Sequence, residues 1–89
     1  TGINAGAYKE NATATGARAY ANGKNATATG SSARAEKDDA TAAGSHAKAS
    51  GARSTATGVD SLASGDSSSA YGDGANATAD RATATGYKS

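Results

Sequence analysis

Eighty-nine residues leave room for one domain, and 9 Lys and Arg against 8 Asp and Glu give a net charge of +1, too balanced to make the clustered basic footprint that nucleic acid demands. The absence of Cys removes any disulfide framework or thiolate metal site, and no apolar run approaches membrane-spanning length. Ile3, Val59 and Leu62 are the only large aliphatics, and Phe, Trp and Met are missing, so a conventional core is excluded and composition alone would place the chain among disordered ones.

Read in order, the chain contradicts that composition. It opens on Thr1-Gly2 with neither an initiator Met nor a signal peptide, and reads as a piece of a longer protein. An A-x-A segment at Ala5/Ala7 leads to Ala12-Thr13-Ala14-Thr15 and Gly16; Ala19/Ala21 leads to the same four letters at 26–29 and Gly30. Ala33/Ala35 precedes ATAA and Gly44, Ala47/Ala49 precedes STAT and Gly58, and Ser61/Ala63 precedes SSAY and Gly72. Ala75/Ala77 precedes a last ATAT and Gly86. From Gly2 to Gly86 these glycines stand 14 residues apart without a slip. Such an internal period must be read before anything else.

Fourteen is also two heptads, but the small residues recur at i and i+2, which alternates across a strand and lies on no single helical face. Gly23, Gly51 and Gly65, midway between the register glycines, would each cost a helix about 1 kcal/mol more. Period-two segments with β-branched Thr, punctuated by Gly, predict short strands joined by turns. Each repeat then makes one flattened coil of a parallel β-solenoid, and six coils stacked about 4.8 Å apart give a rod roughly 29 Å long. The charges support this: from Lys9 and Glu10 to Arg81 and Lys88 they avoid the two small-residue positions of each A-x-A segment and every ATATG position. Residues 1–89 are thus expected to form a single all-β unit of about six repeats.

With Ala and Ser inward, the interior closes over methyl groups, whose burial contributes less than ordering the backbone costs. The strand ladders, and a partner surface, must supply the rest. Outward residues of the A-x-A strand vary freely (Gly6/Tyr8, Tyr20/Asn22, Arg34/Glu36, Lys48/Ser50, Leu62/Ser64, Asn76/Thr78), as solvent permits. Those of the other strand are Thr13/Thr15, Thr27/Thr29, Thr41/Ala43, Thr55/Thr57, Ser69/Tyr71 and Thr83/Thr85. A face uncharged over six coils is expected to meet something other than bulk water.

Asn11-Ala-Thr-Ala-Thr-Gly-Ala-Arg-Ala19 and Asn25-Ala-Thr-Ala-Thr-Gly-Ser-Ser-Ala33 resemble the 14-residue repeat N-S-V-A-I-G-x-x-S-x-A-x-G of the head domains of YadA-like trimeric autotransporter adhesins, and the likeness runs the length of the chain. The resemblance implies a left-handed parallel β-roll, homotrimeric about the rod axis, on the outer membrane of a Gram-negative bacterium, binding host extracellular matrix or a cell-surface receptor. It implies a trimer interface at Thr13, Thr15, Thr27, Thr29, Thr41, Thr55, Thr57, Ser69, Tyr71, Thr83 and Thr85, with membrane anchoring through regions outside this sequence. Thr stands where the motif has Val and Ile, which implies a more polar seam with water bridging the hydroxyls.

Outward cations and one ring, Arg18, Tyr20, Arg34, Lys48 and Arg53, are the candidate receptor contacts. His46 reads as a solvated residue after a turn glycine, Asp38, Asp39 and Asp73 as turn residues, and the sequons at Asn11, Asn25 and Asn76 as products of the repeat. No cofactor, metal or catalytic constellation is expected: neither a Ser-His-Asp set nor a carboxylate pair stands out, and a thin solenoid offers no deep pocket. The rival reading is an ice-binding β-solenoid using the Thr-x-Thr ladder, an array that Ala43 and Tyr71 interrupt.

Overall fold

The computed structural model of the protein describes residues 6–87. Twelve short strands follow one another as β1 (Gly6–Ala7), β2 (Thr13–Thr15), β3 (Tyr20–Ala21), β4 (Thr27–Thr29), β5 (Arg34–Ala35), β6 (Thr41–Ala43), β7 (Lys48–Ala49), β8 (Thr55–Thr57), β9 (Leu62–Ala63), β10 (Ser69–Tyr71), β11 (Asn76–Ala77) and β12 (Thr83–Thr85). Odd strands form one six-stranded parallel sheet and even strands another, each in sequence order. Every pairing joins residues 14 apart, as in Thr13↔Thr27↔Thr41↔Thr55↔Ser69↔Thr83. The result is a parallel β-solenoid measuring 30 × 20 × 11 Å, in agreement with the rod length expected from the coil spacing.

The core is what the alternation predicts. Among the described residues sixteen alanines are buried, and the largest fully buried side chains are Ser54, Ser61 and Ser68, so the two sheets touch through methyl-sized groups. Each serine hydroxyl donates to the carbonyl three residues back, Ser54 to Gly51 at 2.6 Å, Ser61 to Gly58 at 2.9 Å and Ser68 to Gly65 at 2.7 Å. Serine thus replaces alanine without leaving a buried donor unpaired. Ala7 departs from the expected pattern: it is exposed, because β1 has a ladder neighbour on one side alone. Ala5 falls outside the described residues.

Each coil turns twice, and both turns are built alike. After an even strand comes the glycine turn, closed by an N–H to C=O bond such as Ala47 to Gly44 at 3.2 Å; after an odd strand comes the charged turn, closed for instance by Ala40 to Lys37 at 3.2 Å. The third residue of each turn is left-handed, including Arg18, His46, Arg53 and Arg81 at φ 57–62°. Long side chains rarely adopt that region. Here the N–H of the same residue donates to the turn one coil earlier, as His46 does to the Ser31 carbonyl and Arg53 to the Asp38 carbonyl, both at 2.9 Å. The inter-coil ladder therefore continues through the turns and fixes their backbone.

The glycine register has two causes at once. Gly44 has φ +125°, and a Cβ there would lie 2.7 Å from the backbone of Gly58 in the next coil. Gly16, Gly30, Gly58 and Gly72 repeat that close stack.

Candidate functional site

The two sheets present unlike surfaces. On the even sheet the outward side chains form two columns, Thr13 to Thr83 and Thr15-Thr29-Ala43-Thr57-Tyr71-Thr85, with no charge in either. Thr27, Thr41, Thr55 and Ser69 are half-buried by their neighbours, whereas Thr13, Thr15, Thr29, Thr57, Thr83 and Thr85 are exposed. Tyr71 is 43% exposed, a large ring standing out of an otherwise low array. All eleven residues expected at a subunit seam thus share one flat face of this chain.

The odd sheet and its flanking glycine turns carry a groove of about 480 Å³ lined by Arg18, Tyr20, Ser32, Arg34, His46, Ala47 and Lys48. Two rows build it. Tyr20, Arg34 and Lys48 are register partners on β3, β5 and β7; Arg18, Ser32 and His46 are the left-handed residues of three successive glycine turns. Backbone placement is tight in both rows, so the side chains start from fixed points one coil apart. Four of the five residues expected to contact a receptor come together here, and Arg53 sits apart on the charged turn. His46 and Ser32 join them, His46 with its Nδ1 3.0 Å from the Ser45 hydroxyl.

Arg34 is the fixed member. Its guanidinium lies 5.2 Å from the centre of the Tyr20 ring and 2.8 Å from the Glu36 carboxylate. Tyr20 in turn packs against Tyr8, with ring centres 5.3 Å apart. A cation held over a ring and against a carboxylate loses little further entropy on binding. Among the described residues Arg18 and Lys48 have no ion-pair partner.

The charged turns do something different. Asp38 accepts from the Lys24 N–H at 3.0 Å, Asp66 from the Ala52 N–H at 3.2 Å, and Asp80 from the Asp66 N–H at 3.1 Å. Each carboxylate reaches back one coil to a backbone donor, which is a structural clamp along that edge. Among the described residues no group of three His, Cys, Asp or Glu could hold a metal ion, and no helix is long and apolar enough to cross a membrane.

Residues 1–19, 7–33, 35–61 and 63–89 match the YadA head domain repeat (2 copies), which leaves only residues 34 and 62 unmatched. The chain belongs to the YadA head family. No curated protein matches it. Each long match covers two coils of the solenoid, so the YadA head repeat and the structural repeat are one unit. Membership in the YadA head family points to an adhesin-type role at the bacterial surface and does not favour the ice-binding alternative.

Proposed function

We propose that this chain is the non-catalytic head of a homotrimeric, left-handed β-roll adhesin, displayed on the outer membrane of a Gram-negative bacterium and binding host extracellular matrix or a cell-surface receptor. The observation that carries the reading is the division of the coil into an uncharged face and a varied, charged one. Three chains that turn their Thr columns toward a common axis would cover the uncharged face and leave the odd sheet facing the host. Burying methyl and hydroxyl groups between subunits supplies what the alanine core of one chain lacks, since burial of apolar area is the main favourable contribution to association. Tyr71 fits the same arrangement. Exposed on one chain, three copies at a three-fold seam would bury apolar area that Thr cannot offer. The candidate receptor contacts Arg18, Tyr20, Arg34, Lys48 and Arg53 all lie off that face and stay accessible.

Sedimentation equilibrium of the 89-residue chain tests the assembly: a trimer at micromolar concentration is expected, and a monomer would overturn it. Beads coated with the chain should adhere to host cells or immobilised matrix protein. A stable trimer that adheres to neither would remove the adhesin role.

A further inference from the structure

We propose that the groove between the odd sheet and the glycine turns binds a sulfated polysaccharide chain; this rests on the adhesin reading and names the chemistry of its receptor. The chain as a whole carries a net charge of +1. Yet the groove gathers Arg18, Arg34 and Lys48, and no carboxylate lines it. Glu36, the partner of Arg34, stands beyond it toward the charged turn. The three cations come from three consecutive coils, within about 10 Å of rod at the usual strand spacing.

What such a site can recognise follows from what it offers. Its backbone donors and acceptors are committed to the inter-coil ladder, for example Arg34 N–H to the Ala47 carbonyl and Tyr20 N–H to the Ala33 carbonyl, both at 2.8 Å. An extended peptide therefore finds no sheet edge to pair with here. Single-stranded nucleic acid needs a succession of aromatic platforms on which bases stack; of the two rings in the groove, Tyr20 already packs against Arg34 and Tyr8, which leaves the single small imidazole of His46. What remains is a row of cations read by side chains alone, including two guanidinium forks suited to oxyanions. A linear sugar chain bearing closely spaced sulfates matches that row. A chain with one carboxylate in every second sugar spreads its charges too widely to engage all three cations.

The test is binding of the full chain to immobilised heparin, to chemically desulfated heparin, to hyaluronan and to a single-stranded oligonucleotide, over a range of salt. The decisive variant is Arg18→Asn with Lys48→Gln, because Asn tolerates the left-handed turn position; the control is Lys24→Gln with Arg81→Asn, which removes the same charge from the exposed charged turns. Heparin alone should bind well. The groove variant should lose at least tenfold in affinity and lower the slope of log K against log salt by about 1–2, while the control stays within twofold. Equal losses in both variants, equal binding of the oligonucleotide or of hyaluronan, or no heparin binding would each overturn the proposal. If the double variant fails to fold by circular dichroism, Lys48→Gln alone, exposed on β7, should still lose at least threefold, and an unchanged affinity refutes the site. Adhesion to cells stripped of sulfated glycans separates the two readings: undiminished adhesion leaves the adhesin standing and sinks the sulfated ligand.

Discussion

Replacing Gly44 by Ala probes whether the glycine stack is structural. Gly44 sits at φ +125°, where an L side chain costs about 1–3 kcal/mol. The added Cβ would also lie 2.7 Å from the Gly58 carbonyl carbon, against an optimum of about 3.5–4.0 Å. The two coils must part by about 1 Å, and two bonds crossing that gap, Gly58 N–H to the Ala43 carbonyl at 2.8 Å and Asp60 N–H to the Ser45 carbonyl at 2.9 Å, stretch beyond useful length. At about 0.5–1.5 kcal/mol each, the total reaches about 2–6 kcal/mol. Gly86 isolates the conformational part: its φ is +102°, but a Cβ there would meet nothing within 4 Å. Gly86→Ala should therefore cost only about 1–3 kcal/mol. Urea unfolding followed by circular dichroism, at one fixed protein concentration because assembly shifts apparent stability, measures both. If Gly44→Ala proves no worse than Gly86→Ala, close approach between coils is not what the register glycines serve.

Ala28, fully buried between Ala14 and Ala42 in its column, should not accept Leu: overpacking is expected to cost about 1–3 kcal/mol in the same unfolding assay, and a wild-type curve would refute the inward assignment. In the proposed trimer Thr29→Lys would gather three ammonium groups around the axis, where like charges repel; sedimentation should show weakened trimers, and an intact trimer would exclude Thr29 from the interface. Tyr71→Thr removes the bulkier of the two interruptions in the Thr array, leaving Ala43, yet should lower the stability of the proposed trimer by about 0.5–1.5 kcal/mol per lost ring pair and create no thermal hysteresis. A monomer with ice-binding activity would reverse the reading of that face.

The coil was legible because two periods coincide, 2 along each strand and 14 along the chain, and both survive in residues as plain as Ala28 and Gly44. The columns of Thr followed from the same register. The turns were less legible. Nothing in Arg18, His46, Arg53 or Arg81 as residue types predicts a left-handed backbone; inter-coil hydrogen bonds impose it, and those exist only once coils stack. Asp38, Asp66 and Asp80 likewise sit in turns, but their bonds to the preceding coil could not be read from the turn alone. The groove was hidden in another way. A net charge near zero says nothing of where charges meet, and Arg18 joins Arg34 and Lys48 only because a turn residue of one coil lies beside strand residues of the next two.

The unbroken register has a consequence for how such a rod can change in length. Recombination between coils that adds or deletes 14 residues extends or shortens its reach by about 4.8 Å while every Thr stays in its column and every alanine stays inside. Loss of seven residues, half a coil, would instead exchange the two sheets beyond the junction, carrying residues such as Lys48 and Leu62 into line with the Thr columns. Rearrangement can thus change the length of the rod in whole coils of 14 residues and in no other step without breaking its two faces.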